Sequence, residues 1–448
     1  MKKILKIIIL CLFITTLWPQ GVLAEDYYFN YHFILTDEEM TDYNSLSINQ
    51  IQKFLESKGG GLANLFLSDY NGVTKSSAEI IWQAAQESQI SPKVLLVTLQ
   101  KEQSLVEDPV PTDRQLDRAM GYRCPDSGSC NESTLDFGKQ VDGAAWQFRQ
   151  YYLKPTDWFY QPDQEYSIDG YFVTPVNQAT ACLYNYTPHY SGNKRFWQIW
   201  QDYFGRDYPD GSLLKAEGSA GVWWVQYGTR RLITSWGVFI SRFDPKKIIT
   251  VSQTDLEKYE VGPAIKFYNY SLLASPDGKV YLLVDDELRY ITSPAVFRTI
   301  GFNPDEVVDV TEADLAGYKY GADITVESIY PTGALIQNNK TGGVYYVKDA
   351  TKYPIYAKEI MTANFKGKVL TAVSPEELEQ YQTGDPVKFK DGELIRANND
   401  SKVYVISDGF RRWVKSEEAF ANLAYKWDNI IITTPQAVNI HPLGEDIE

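Results

Sequence analysis

A repeat of about 60 residues fills the second half of this chain and limits how that half can fold. Each copy has an apolar and aromatic run, a turn, a second run rich in basic and aromatic residues, and a short helical segment. Each copy closes on a glycine, and successive closing glycines lie 59, 63 and 60 residues apart. These glycines are Gly262, Gly321, Gly384 and Gly444, and they end copies at about 211–265, 266–324, 325–387 and 388–448.

One unit of this size buries little apolar surface alone, so neighbouring copies must share core residues. The pattern predicts three or four strands and one short helix per copy, in an all-β-dominated repeat domain over residues 211–448. A small four-bladed β-propeller is the favoured assembly, and a linear stack of β-modules is the alternative. Such a domain is expected either to bind cell-wall glycan or another surface polymer, or to act as a spacer.

The first half follows a helical pattern, so the whole chain is predicted to be a multidomain α+β protein. Ser47-Ile-Asn-Gln50 and Ser76-Ser-Ala-Glu79 have the form of capping boxes, which open helices. Further helices are predicted at 141–152 and 193–203. We therefore expect an α-rich domain over residues 25–207.

The amino-terminal segment has the form of a secretory signal peptide. A basic start precedes a short apolar run, and Val22-Leu23-Ala24 supplies the small-residue exit. The apolar run is shorter than the roughly 20 residues that a transmembrane helix needs. The sequence thus predicts a signal peptide at 1–24, cleavage after Ala24, a secreted or cell-envelope protein, and no stable membrane anchor afterwards.

Removal of the signal would leave 40 basic and 58 acidic residues, a formal charge of −18. Nucleic-acid binding needs concentrated positive charge, so that class of partner is excluded. The three histidines, His32, His189 and His441, are scattered, and the sequence suggests neither a metal site nor a cofactor. In an exported protein Cys124 and Cys130 could form a disulfide, although pairing of either one with Cys182 stays open.

One candidate catalytic residue stands out in the segment from Ser91 to Leu105. Ser91 suits an N-cap and Pro92 suits the first helical position. A single helical stripe then contains Leu95, Leu99, Glu102 and Val106. Burial of an ionised carboxylate on such a stripe is costly, so the pKa of Glu102 should rise, as a general acid requires. The alternative is that Glu102 lies at the helix end and reaches water.

Three segments, in this order, resemble the lysozyme-like superfamily, which includes lytic transglycosylases and related secreted peptidoglycan glucosaminidases. They are 95–104 with Glu102 and Ser104, 119–122 with Gly121 and Tyr122, and 181–186 with Tyr184 and Asn185. The resemblance covers roughly residues 80–205.

The resemblance implies a secreted glycosidase that cleaves β-1,4 bonds between N-acetylated amino sugars of peptidoglycan, with Glu102 as general acid. It implies that Tyr184 and Asn185 orient the sugar and the acid, and that Ser104, Gly121, Tyr122 and Gln140 contribute to substrate binding. No second carboxylate stands out among Asp113, Asp117, Asp126, Asp136 and Asp142. The substrate's N-acetyl group could assist instead, so hydrolysis and transglycosylation both stay open.

Two other interpretations compete with a glycosidase. A nucleophilic mechanism would use Cys182 and His189, but a spacing of seven residues gives no particular reason to expect contact. The main alternative from another class is a non-enzymatic cell-envelope adhesin in which both halves bind glycan.

Overall fold

A computed structural model describes residues 28–125 and 129–447. The predicted signal peptide and its cleavage site lie outside the described residues. Within them, the helices are all too short or too polar to span a membrane. The predicted combination of a helical first part and a β-rich second part is confirmed.

The first part consists of helices with two short β-hairpins. The helices are α1 (Asp37–Thr41), α2 (Ile48–Lys58), α3 (Ser77–Ser88), α4 (Pro92–Gln103), α5 (Asp113–Asp117), α6 (Phe137–Leu153), α7 (Gln178–Tyr186) and α8 (Tyr190–Phe204). The strands are β1 (Phe66–Ser68), β2 (Thr74–Ser76), β3 (Tyr166–Ile168) and β4 (Tyr171–Val173).

Local sequence signals account for the helix starts. Both predicted capping boxes are confirmed. The side chains of Ser47 and Ser76 each accept a hydrogen bond from the backbone N–H of the third helical residue, and the side chain of that residue accepts one from the backbone N–H of the serine. Pro92 occupies the first position of α4, as predicted. The residues Val94 to Gln100 are all buried, so α4 is surrounded by protein and forms the centre of the helical core.

Each sequence repeat forms one sheet with its own short helices. The strands are β5 (Leu213–Ala216), β6 (Val222–Gln226), β7 (Thr229–Ile233), β8 (Ile248–Val251), β9 (Glu260–Val261), β10 (Leu272–Ala274), β11 (Val280–Val284), β12 (Glu287–Tyr290), β13 (Val307–Asp309), β14 (Lys319–Tyr320), β15 (Ala334–Asn338), β16 (Val344–Lys348), β17 (Thr351–Ile355), β18 (Leu370–Val373), β19 (Gln382–Thr383), β20 (Leu394–Ala397), β21 (Val403–Ser407), β22 (Phe410–Trp413) and β23 (Ile430–Thr433). The helices are α9 (Trp236–Ile240), α10 (Gln253–Glu257), α11 (Pro294–Ile300), α12 (Glu312–Leu315), α13 (Lys358–Asn364), α14 (Pro375–Leu378), α15 (Glu417–Asn422) and α16 (Pro435–Asn439).

All four sheets share one topology. The first three strands of a copy form an antiparallel meander, and the fourth strand returns through a helix to pair in parallel with the first. In the first three copies a fifth strand pairs in parallel with the third, as β9 does with β7. In the last copy a bridge between Arg411 and Leu443 stands at that place.

The closing glycines are required because the third strand's side chains pack against them. A Cβ on Gly262 would lie 3.3 Å from Cγ of Arg231, and one on Gly321 would lie 3.3 Å from Cγ of Arg289. The same close approach recurs at Gly444, and at Gly384 a tyrosine, Tyr353, takes the place of the arginine. The closing glycine of each sequence repeat thus marks a contact between the third strand of that copy and the segment that ends the copy.

Successive sheets contact one another through ion pairs and shared apolar clusters. Arg231 of the first copy pairs with Asp286 of the second at 2.7 Å, and Arg289 of the second pairs with Asp349 of the third. The third and fourth copies share an apolar cluster that includes Ile360, Phe389 and Ile395. The fourth copy also contacts the first, through a cluster that includes Leu214 and Leu423 and an ion pair between Lys247 and Glu393.

The helical part contacts the first repeat. The ammonium group of Lys258, which is buried, lies 2.7 Å from the Asp207 carboxylate. Asn30 donates to Glu257 at 3.0 Å, and Thr254 donates to Glu39. The predicted boundary between residues 207 and 211 stays a prediction, although α8 ends at Phe204 and β5 begins at Leu213.

Candidate functional site

Glu102 lies one residue before the end of α4 and keeps part of its side chain in solvent. Leu95 and Leu99, on the same stripe, are fully buried, whereas the side chain of Glu102 is 25% exposed. Its Oε1 lies 2.8 Å from the ammonium group of Lys101, which is 9% exposed and also donates to Thr187 Oγ1 at 2.5 Å. The carboxylate is therefore held by a neighbouring cation and still reaches water.

The other oxygen of Glu102 faces Gly121. Gly121 has a φ of +69°, a left-handed conformation that favours glycine, and a Cβ at this position would lie 3.1 Å from Oε2. Because residue 121 is glycine, it places no side chain against Oε2.

Gln140 fixes the turn that carries Gly121. Gln140 is fully buried on α6, and its Oε1 accepts hydrogen bonds from the backbone N–H groups of Met120 and Tyr122 at 3.3 and 3.0 Å. Its Nε2 donates to the carbonyls of Tyr122 and Thr134 at 3.0 and 2.9 Å. The predicted contact of Gln140 with substrate stays a prediction, while these four bonds give it a positioning role.

Tyr122 packs on α6 at a glycine. A Cβ on Gly143 would lie 2.3 Å from Cε1 of the Tyr122 ring, so only glycine leaves room for the ring there. The guanidinium of Arg123 lies 5.4 Å from the centre of the same ring. A disulfide joins Cys124 to Cys130 just beyond this turn.

Tyr186 contacts the residues that position Glu102 and Gly121. It was not singled out from the sequence as a functional residue. Its ring stacks on Phe148 at 4.2 Å, its hydroxyl donates to the Met120 carbonyl at 2.7 Å, and Lys101 Nζ lies 5.9 Å from the ring centre. Burial, with a smaller effect from the charge of Glu102, raises the pKa of Tyr186 well above its usual value. Only its position beside the Tyr184-Asn185 pair could have pointed to it.

Tyr184 and Asn185 use their polar groups inside the protein. Tyr184 is fully buried, and its hydroxyl donates to the Tyr31 carbonyl at 3.0 Å. The Asn185 amide both accepts from and donates to the backbone of Tyr160, at 3.0 and 2.8 Å. Ser104 is the exposed C-cap of α4, with a φ of +58°. The roles predicted for these three residues in substrate binding stay predictions.

Cys182 and His189 have different surroundings. Cys182 is buried against Gln178, whose Nε2 lies 3.7 Å from the sulfur, and burial raises the pKa of the thiol. His189 is exposed and lies 3.5 Å from Asp169. A thiol with a raised pKa is a poor nucleophile at neutral pH.

Of the five candidate second carboxylates, Asp126 lies outside the described residues, and Asp142 lies partly buried on α6. Burial, with smaller effects from the negative charges of Glu87 and Asp69, raises its pKa to about 6. Asp136, by contrast, caps α6 by accepting from Lys139 N–H at 3.0 Å. In the described part of the chain, histidine, cysteine and carboxylate side chains do not gather in groups of three that could hold a metal ion.

Asp142 makes the protein's stability depend on pH. Its folded pKa of about 6 exceeds the ordinary value of 3.8, so its protonation stabilises the fold below pH 4 and this contribution is lost as the pH rises through 6. We expect Asp142→Asn to raise the free energy of unfolding at pH 7 by about 1 kcal/mol, a value reduced for the partial exposure of the side chain. Urea unfolding at pH 4 and pH 7 measures this effect. The prediction would be contradicted if the free energy of unfolding changed between pH 4 and pH 7 by the same amount in the variant as in the original protein.

Comparison with known proteins connects the helical part with a cell-wall enzyme. A family described as "LasA, N-terminal domain" matches residues 33–212, which span α1 to α8 and reach the start of the repeats. LasA is a staphylolytic peptidase. The match contradicts the predicted function, because a peptidase cleaves peptide bonds and not the bonds between sugars; the predicted glycosidase, lysozyme-like and lytic transglycosylase assignments were therefore wrong.

Other comparisons add little. No curated relative matches the sequence. Among solved structures, a chain of the periplasmic assembly from the ESX-5 inner membrane complex shares 10% identity and covers 55% of this chain and 94% of its own length, with a TM-score of 0.14. A chain of an intact ESX-5 inner membrane complex shares 11% identity over 56% of this chain and 82% of its own, also with a TM-score of 0.14. Scores this low carry no argument about fold or function.

Proposed function

We propose that this protein is exported and acts on bacterial peptidoglycan as a peptidase-type enzyme, with the site at Glu102 and Gly121 as its active site. The observation that carries the proposal is the match of residues 33–212 to the N-terminal domain of LasA. The matched region contains the whole of the site, from Lys101 to Thr187. The substrate class is the peptide part of the cell wall.

The geometry around Glu102 supports acid–base chemistry. Oε1 is held by Lys101 at 2.8 Å, and Oε2 lies beside Gly121, which has no side chain. In the proposed reaction this carboxylate takes a proton from a water molecule as the water attacks a peptide carbonyl. It then gives that proton to the leaving nitrogen, so a carboxyl group and an amine are the products.

Export is part of the proposal. The basic, apolar and small-residue pattern at the start of the sequence supports it, and the acidic charge of the remaining chain suits a protein that stays in solution outside the cell. The Cys124–Cys130 disulfide is also typical of oxidising compartments.

We also infer that the four sheets close into a four-bladed propeller. Contacts between neighbouring copies, together with the cluster and ion pair that join the fourth copy to the first, support a closed ring rather than a linear stack. Lys390 of the fourth copy lies 3.4 Å from Asp285 of the second, as expected if those copies face each other across the ring.

The proposed activity is tested on purified peptidoglycan with the mature protein. Walls with glycine bridges and walls with direct cross-links are digested separately, and new amino groups and new reducing ends are counted in each. We expect amino groups to appear without reducing ends. Glu102→Gln should lower the rate about 100-fold or more, because a positioned acid–base group typically contributes that much.

Glu38→Gln is the matched control, since Glu38 is an exposed carboxylate on α1 of the same unit. It should digest walls at the original rate, and both variants should keep the original melting temperature. New reducing ends without new amino groups would overturn the proposed bond, and full activity of Glu102→Gln would remove Glu102 from the reaction.

A further inference from the structure

A groove of about 420 Å³ lies where the first, second and third repeats meet, well outside the proposed active site. It is of the size that small-molecule sites commonly have. Nine of the twelve residues that line it are polar or charged, and those that matter below are Tyr227, Arg231, Asp286, Lys319 and Lys348.

Tyr227 occupies a position that the other three repeats give to aspartate. It is the first turn residue between β6 and β7, and its counterparts between the second and third strands of the other repeats are Asp285, Asp349 and Asp408. All four have a φ near +50°, a left-handed conformation that aspartate adopts far more readily than a bulky side chain does. The first repeat thus holds an aromatic ring, 58% exposed, at a site where its backbone disfavours one. Strain of this kind is typical of functional positions.

Arg231 has a hydrogen-bonding group that the protein leaves unused. Arg231 is 4% exposed, its Nε donates to the Pro263 carbonyl at 2.9 Å, and its Nη1 donates to Asp286 at 2.7 Å. Its Nη2 has no hydrogen-bond partner among the described residues. A buried donor without a partner is costly, unless a ligand in the groove supplies an acceptor.

In the equivalent arginine of the second repeat, each of the three nitrogens has a partner. Nε, Nη1 and Nη2 of Arg289 donate to the carbonyls of Ala322 and Pro331 and to Asp349. The bond to Pro331 is possible because 13 residues, 321–333, connect β14 to β15, whereas ten, 262–271, connect β9 to β10. In the first repeat the shorter connection supplies no such carbonyl to Nη2 of Arg231.

We propose that this groove is a carbohydrate-binding site and that it takes the glycan strands of the cell wall. Its three cations, Arg231, Lys319 and Lys348, balance its three acids, so the groove selects no net charge. Sugar hydroxyls donate to carboxylates and accept from cations, and they can therefore pair with both kinds of side chain. The ammonium group of Lys319 lies over one face of the Tyr227 ring, 5.0 Å from its centre. The opposite face of this ring is the one offered to a pyranose ring.

The inference concerns binding alone and would stand if the protein cleaved no bond. The probes are soluble glycan strands freed of stem peptides and, separately, the released peptides, each titrated calorimetrically into the full mature chain. Tyr227→Asn is the decisive variant, because asparagine suits a left-handed φ and adds no charge. We expect glycan affinity to fall about tenfold or more, as loss of an aromatic contact allows, with the melting temperature unchanged or higher.

Phe410→Ala is the matched control, because Phe410 is an exposed aromatic residue of the fourth repeat's hairpin and does not line the groove. It should bind glycan strands with the original affinity. Glycan binding that Tyr227→Asn leaves intact would overturn the proposal, as would Tyr227-dependent binding of the peptides alone. Glu102→Gln should lose the proposed peptidase activity and still bind glycan strands. Failure of the proposed activity can therefore be told apart from failure of the proposed binding site.

Discussion

Replacement of Gln140 by leucine is expected to lower the free energy of unfolding by about 3–5 kcal/mol. The Gln140 amide makes four hydrogen bonds to backbone groups, to the N–H groups of Met120 and Tyr122 and to the carbonyls of Tyr122 and Thr134. Leucine has a similar volume, so the loss comes from buried polar groups left without partners and not from a cavity. Urea unfolding of the variant at pH 7 measures it.

The same change should reduce activity, although Gln140 donates no group to the reaction. Without its bonds the turn at 120–122 is no longer held on α6, and Gly121 loses its fixed place beside Oε2 of Glu102. Digestion of peptidoglycan well below the variant's melting temperature should therefore be slower, by about tenfold or more, since small misplacements of this kind are costly.

Gln147→Leu is the control on the same helix. Its Nε2 is buried and has no partner within the described residues, so leucine there should leave stability unchanged or slightly higher. Equal destabilisation by the two substitutions would contradict the role given to the Gln140 bonds.

Local signals in the sequence predicted α4 and its neighbours, but not the surroundings of Glu102. The capping boxes and Pro92 mark helix starts because they act within a few residues. The groups that contact Glu102 come from Gly121 and, through Lys101, from Thr187, which is 86 residues away from Lys101. Helical periodicity contains no information on contacts of that range.

The resemblance that suggested a glycosidase rested partly on residues that stabilise the fold. The Tyr184 hydroxyl and the Asn185 amide are both bonded to backbone groups, of Tyr31 and Tyr160. Side chains used in this way can recur for packing reasons whatever bond is cleaved. A motif therefore indicates chemistry only when its polar groups are free to meet a substrate.

The sequence repeat predicted structure better than the motifs around Glu102 did, because the same contact with a closing glycine is made in all four copies. The closing glycines could be recognised in the sequence. The cause of their recurrence, a third-strand side chain that packs against each of them, could not. The contacts between copies depend on side chains that are not the same in every copy: Arg231 and Arg289 each pair with the next copy, whereas Tyr353 stands at their position in the third copy.

Substitution of Gly211 by alanine is expected to cost about 3 kcal/mol or more, because it separates the first repeat from the last. Gly211 has a φ of +89°, and a Cβ there would lie 2.1 Å from the carbonyl carbon of Asp391. Gly392, in turn, has its own Cβ position 2.5 Å from the Gly211 carbonyl oxygen. The two backbones meet directly where the first and fourth copies join.

The contact, and not the backbone conformation, requires glycine at this place. In the second repeat Tyr270 stands at the equivalent position, two residues before the first strand, with a φ of +70°. Gly218→Ala is therefore the matched control: Gly218 also has a φ of +70°, but its Cβ position is open, so it should cost only about 1 kcal/mol. Urea unfolding compares the two, and limited proteolysis should cut Gly211→Ala faster near residues 208–215. Equal losses in both variants would mean that the first and last repeats do not depend on each other, and a closed ring requires that they do.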